Sequence, residues 1–120
     1  MLKTPGQLAE EARAAIPEIS AEQVRKDLAT GRPPYALIDV REPEEVAAGQ
    51  IPGAVPIPRG TLEISITRVV PDENAPIVCY CGGGTRSLLA GQQLKNMGYR
   101  NVTSMAGGMR AWKMGGGTTV

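Results

Sequence analysis

No stretch of the chain restricts the fold as tightly as Ile77-Val78-Cys79-Tyr80, which runs directly into Cys81-Gly82-Gly83-Gly84-Thr85-Arg86-Ser87. Four consecutive β-branched, apolar or aromatic residues predict a buried strand. Three glycines then remove every side chain from the turn. Leu88, Leu89, Leu94 and Met97 follow at helical spacing, and Gly98 marks the helix end. A strand, a glycine loop and a helix make part of a βαβ unit. Such units form a parallel sheet covered by helices on both faces, with ligands outside the carboxyl ends of the strands.

The rest of the sequence fits this architecture. Leu8, Ala12 and Ile16 predict an amphipathic helix from Thr4 to Ala15, with Pro5 in its first turn and Pro17 beyond its end. Ser20 and Gln23 have capping-box spacing, and Ile19 and Val24 are placed as a hydrophobic staple for a helix from Ser20 to about Thr30, closed by Gly31. Tyr35 to Val40 reads as a strand, Glu42 to Ala48 as a short helix, and Val55 to Ile57 as a brief extended piece. Thr61 to Val70 is ambiguous between a helical face (Leu62, Ile66, Val69, Val70) and strand-like alternation (Ile64, Ile66), and is assigned as helix. Val102 to Met105 is a further strand, Gly107-Gly108 a turn, and Met109 to Lys113 a last helical piece. The expected organisation is one α/β domain over residues 1–120, three-layered around a mainly parallel sheet. Residues 1–18 are expected as a helical extension and residues 115–120 as a flexible tail.

Composition excludes several chemistries. The chain has no histidine, which removes the Ser-His-Asp triad, the Cys-His dyad and the commonest transition-metal ligand. Its two cysteines, Cys79 and Cys81, are one residue apart, too close for an unstrained disulfide and too few for a metal site. No metal and no cofactor are expected. Every acidic residue lies at or before Glu73, whereas Arg86, Lys95, Arg100, Arg110 and Lys113 follow it. This favours a small anionic substrate near the cysteines, unless the earlier acids neutralise these bases in space. Five scattered bases do not form a nucleic-acid-binding stripe. No apolar run predicts a membrane span and no secretory h-region is present, so the expected location is cytoplasmic.

Cys81 is the residue that demands a chemical explanation. Glycine permits left-handed and sharply curved backbone, so successive N–H groups of Gly82, Gly83, Gly84 and Thr85 can converge on one point, joined by helix-terminal donors at Ser87. The first anion they meet is the Cys81 thiolate, which is thus held without imidazole. Arg86 either adds a positive charge to this site or turns away to a carboxylate such as Glu42 or Glu45. Cys79 lies within the strand and reads as a small buried hydrophobe. A Walker-type phosphate loop fails for want of a lysine before Ser87, and a dinucleotide site for want of any acid after the loop.

The sequence resembles the rhodanese family from Ile19 to Trp112. The matching segments are Ile38-Asp39-Val40-Arg41-Glu42-Pro43-Glu44-Glu45, Gly49-Gln50-Ile51-Pro52-Gly53-Ala54, the loop Cys81 to Ser87, and Ala106-Gly107-Gly108-Met109-Arg110-Ala111-Trp112. The resemblance implies a sulfurtransferase in which Cys81 takes sulfane sulfur from an anionic donor such as thiosulfate, carries it as a persulfide, and passes it to a thiophilic acceptor: cyanide, a thiol or an acceptor protein. It further implies that Asp39 and Arg41 lie near the active loop and support it. The sequence departs from the family at Gln50, where histidine is usual, and the change is expected to touch loop packing.

Two rival readings use the same fold. One is a phosphatase or arsenate reductase, with the cysteine attacking a tetrahedral oxyanion. The other is a non-catalytic sulfur-carrier or regulatory module. Four residues separate Cys81 from Arg86, one fewer than in the Cys-x5-Arg loop of cysteine phosphatases, which favours a sulfur atom over a phosphoryl group.

Overall fold

The computed structural model describes residues 1–120. Five parallel strands form one sheet in the spatial order β1-β5-β4-β2-β3: β1 (Glu18–Ile19), β2 (Ala36–Asp39), β3 (Val55–Pro56), β4 (Ile77–Tyr80) and β5 (Val102–Met105). Six helices accompany them: α1 (Pro5–Arg13), α2 (Ala21–Ala29), α3 (Pro43–Ala47), α4 (Leu62–Val69), α5 (Thr85–Met97) and α6 (Gly108–Met114).

All four residues of β4 are buried because both faces of the sheet are covered. Strand alternation sends Cys79, and Cys81 just beyond the strand, to one side with Ile38, Leu62, Ile66 and Leu94, while Val78 and Tyr80 go to the other with Leu37, Met105 and Trp112. Helices α4 and α5 thus cover one face, and α2 and α6 the other. In α4 the helical reading holds, with Leu62, Ile66 and Val70 just beyond it buried and Ile64 exposed, but Val69, expected on the buried face, is exposed. Each fully buried aliphatic side chain contributes about 1.5–3 kcal/mol.

The expected N-terminal helix forms as α1, which packs on α5 through Ala9, Ala12 and Leu88 with Ile16 just beyond its end, and β1 pairs with β5. Other expectations are corrected. The buried stripe of α1 includes Ala9, while Leu8 is exposed, so close helix contact here rests on small side chains. Met97 is likewise exposed. At Ser20 only half the capping box forms: the hydroxyl accepts from Gln23 N, but the Gln23 side chain donates to Asp27. The C-terminal tail returns to the domain instead of fraying. Trp112 Nε1 donates to Thr118 O at 2.8 Å, and Val120 and Gln50 exchange two backbone bonds of 2.9 and 3.0 Å. No helix is long and apolar enough to cross a membrane.

Candidate functional site

The carboxyl end of β4 delivers Cys81 into the loop as a fully enclosed side chain. Its Sγ accepts hydrogen bonds from Gly84 N at 3.1 Å and Ser87 N at 3.4 Å, and the Ser87 hydroxyl stands 3.5 Å away. Gly84, at φ 107°, is the N-cap of α5, so the left-handed turn that begins the helix also aims its N–H at the sulfur. Donors fixed in this way stabilise negative charge on the sulfur without needing to reorganise. No atom lies within 4 Å of where a Cβ on Gly83 would stand, so this side of the loop is open.

The loop carbonyls are held from behind by the residues that follow the Gly107-Gly108 turn. Met109 N donates to Cys81 O at 2.8 Å and Arg110 N to Gly82 O at 3.0 Å. Gly108, at φ 55°, lies so near that a Cβ there would stand 2.3 Å from Cys81 O. Adjacent glycines opening a helix are a visible signal of close backbone approach, but the sequence does not say which backbone is approached.

Arg86 turns to a carboxylate. Its Nη1 and Nη2 donate to Glu45 Oε1 at 2.6 Å and Oε2 at 3.0 Å, and the guanidinium lies beside Gly82, with Nη2 3.2 Å from a Cβ placed there. Of the five bases following Glu73, Arg86 alone is in an ion pair, so the acid earlier in the chain neutralises the base nearest the cysteine. The Arg86 hydrogen bond holds the Glu45 carboxyl down to about 2. Because this lies below the ordinary glutamate value of about 4.3, the pair stabilises the fold fully above about pH 5 and loses that contribution as the pH falls towards 2. More than a third of each side chain meets solvent, so screening limits the effect to under about 1 kcal/mol. Glu45→Gln is therefore expected to lower the urea midpoint slightly at neutral pH and by less near pH 3. An undiminished difference at low pH would place the effect elsewhere.

Asp39 and Arg41 form a separate buried network on the opposite face of the sheet. Arg41 Nη2 and Nε both bond to the Asp39 carboxylate, at 2.8 and 3.0 Å, and Tyr80 Oη donates to Asp39 at 2.6 Å. The Asp39 hydrogen bond keeps the Arg41 guanidinium protonated, and burial raises the Tyr80 phenol above its ordinary value. From this anchor, Arg41 donates to Gly49 O at 2.7 Å and Glu45 O at 3.4 Å, while Tyr80 Oη accepts from Ile51 N at 3.1 Å. Neither Asp39 nor Arg41 bonds to the cysteine. Both reach the loop only through α3, whose Glu45 holds Arg86. Tyr80 was not anticipated as a member of this network. At Gln50 the backbone is engaged by Val120, while Oε1 is buried without a partner.

Cys79 is fully buried, and desolvation pushes its thiol up to about 12. Cys79→Ala is expected to lower stability by about 1–2 kcal/mol and to leave most of any Cys81-dependent activity, as urea melts and initial rates will show. A cavity of about 620 Å³, lined in part by Leu28, Tyr35, Val55 and Trp112, lies towards the amino ends of the strands and does not include Cys81.

The family model of the rhodanese-like domain matches residues 20–114. The chain is 37% identical over 112 residues to the human thiosulfate:glutathione sulfurtransferase, covering 82% of this chain and 95% of that one. A Bacillus subtilis protein named as a candidate sulfur carrier is 34% identical over 111 residues, which cover 92% of this chain and 58% of that protein's length. Among solved structures, a Rhodopseudomonas palustris protein of unknown function, described as a possible tyrosine phosphatase, superposes with a TM-score of 0.92 at 27% identity. That match covers 100% of this chain and 96% of that one.

Proposed function

The chain belongs to the rhodanese-like domain family, and from this premise we propose that it is a sulfurtransferase in which Cys81 carries sulfane sulfur as a persulfide. The observation that carries the reading is the convergence of Gly84 N–H and Ser87 N–H on Cys81 Sγ in a chain with no histidine to activate a nucleophile. In the first step the Cys81 thiolate attacks the outer sulfur of thiosulfate or a similar anionic donor. The donor's S–S bond breaks and its electron pair leaves with sulfite. In the second, a thiolate or cyanide attacks the outer persulfide sulfur, and the Cys81 thiolate departs with the electron pair. No net oxidation occurs and no cofactor is called for. Asp39 and Arg41 act at a distance, by fixing α3 and hence the Glu45–Arg86 pair beside the loop.

The description of the Rhodopseudomonas palustris neighbour keeps a phosphatase reading in view. Two features weigh against it: the four-residue spacing from Cys81 to Arg86, and the commitment of Arg86 to Glu45, which leaves that guanidinium occupied. The test is to assay one preparation for sulfur transfer from thiosulfate to cyanide or glutathione and for hydrolysis of an aryl phosphate. Sulfur transfer with negligible hydrolysis is expected. Cys81-dependent hydrolysis without sulfur transfer would establish the phosphatase instead.

A further inference from the structure

Behind the loop, Ser104 on β5 is fully buried, and its hydroxyl has one hydrogen-bond partner, Ser87 Oγ, at 2.7 Å. Ser87 Oγ in turn stands 3.2 Å from Gly84 O and 3.5 Å from Cys81 Sγ. We propose that Ser104 is a positioning residue for the nucleophile: by donating to Ser87 Oγ it directs the Ser87 proton outward, where it serves the Cys81 sulfur.

Each hydroxyl has one proton to donate and two lone pairs to accept with. If Ser87 donated to Ser104, the Ser104 proton would be left buried without an acceptor. The Ser87 lone pairs would then face the Gly84 carbonyl oxygen and the sulfur. Both are costly for side chains buried as completely as Ser87 and Ser104. If Ser104 donates, its own proton is satisfied and the single Ser87 proton stays available to Gly84 O or to Sγ, whichever the state of the cysteine requires. With Cys81 as a thiol, its S–H donates to Ser87 Oγ and the Ser87 proton goes to Gly84 O. With Cys81 as a thiolate, the Ser87 proton turns from Gly84 O to Sγ, adding a third donor to the two N–H groups. Only a hydroxyl rotation separates the two states. The bond from Ser104 also polarises the Ser87 hydroxyl and makes it a stronger donor to the anion.

Other charges bear on the same sulfur. They are Arg86 on α5, whose guanidinium is paired with Glu45 on α3, and Cys79 on β4, which titrates only at about 12; Glu42 acts on Arg86 and Arg59 on Cys79, and Arg110 on α6 meets the loop through its backbone N–H to Gly82 O. Strand β5 contributes no charged group, and Ser104 bonds to none of those named. Removing the Ser104 hydroxyl therefore changes the Ser87 donor while leaving these charges in place.

This inference rests on Cys81 being the nucleophile, and the test separates the two claims. The pH dependence of Cys81 alkylation by iodoacetamide is measured in wild type, Ser104→Ala, Ser104→Thr, Ser87→Ala and the double alanine variant, with thermal melts recording that each is folded. Ser104→Ala is expected to move the alkylation profile to higher pH and to slow alkylation at neutral pH about threefold. Ser104→Thr, which keeps the hydroxyl, should stay near wild type. The double variant should match Ser87→Ala alone, because Ser104 acts only through Ser87. A folded Ser104→Ala protein with the wild-type profile, or effects of the two alanine changes that simply multiply, would overturn the proposal. Neither result would touch the nucleophile assignment, which fails only if sulfur transfer survives in Cys81→Ser.

Discussion

Cys81→Ser is expected to lower sulfur transfer from thiosulfate by about three orders of magnitude or more, because the replaced atom is the one that forms and breaks the sulfur–sulfur bonds. Serine keeps the size of the side chain and its place beneath the Gly84 and Ser87 N–H groups, so folding should be nearly unchanged. The loss should therefore appear in the rate and not in the melting curve. A serine alkoxide is not formed at neutral pH by two backbone donors, and an oxygen adduct of sulfane sulfur would not turn over. Retention of even a tenth of the wild-type rate would remove Cys81 from the mechanism.

Gly108→Ala should have the second-largest effect, and it acts without touching the sulfur. A Cβ at this position stands 2.3 Å from Cys81 O and 2.7 Å from Gly82 C, both backbone atoms that cannot rotate aside, and φ of 55° is itself unfavourable for alanine. The loop must shift, and the bonds from Met109 N and Arg110 N to the loop carbonyls lengthen with it. The expected cost is about 2–4 kcal/mol in stability. A displacement of the donors on the order of 1 Å is expected to reduce kcat/KM by about 100-fold. Gly98→Ala is the matched comparison: φ is 115° but nothing lies within 4 Å, so it should cost about 1–2 kcal/mol in backbone strain and leave the transfer rate unaltered. Urea melts and initial rates on both variants distinguish the close approach from glycine strain in general. Equal rate losses in the two would refute the role given to Gly108.

Much of this site was legible from residues alone. β4 and β5 fall at Ile77–Tyr80 and Val102–Met105 as expected, because long-range context there agrees with local preference: buried parallel strands require continuous apolar, β-branched runs. The loop was equally visible, since three glycines after a strand leave few other conformations. β1 was not visible. Two residues between Pro17 and Ser20 carry no periodicity, and Glu18–Ile19 is a strand only because β5 lies beside it. The direction of Arg86 was undecidable for a related reason. Glu42 and Glu45 are one helical turn apart, and which of them reaches Arg86 depends on how the Asp39–Arg41–Tyr80 network seats α3. Ser104 gave no signal at all, being a serine in a strand whose significance lies entirely in the hydroxyl across from it.

The most direct test of the central claim is the intact mass of the protein after treatment with thiosulfate and removal of excess donor. Wild type and Cys79→Ala should each be heavier by one sulfur atom, should lose it on addition of cyanide with formation of thiocyanate, and Cys81→Ser should gain nothing. An extra sulfur on Cys81→Ser, or none on a wild-type protein that turns over thiosulfate, would contradict the persulfide account.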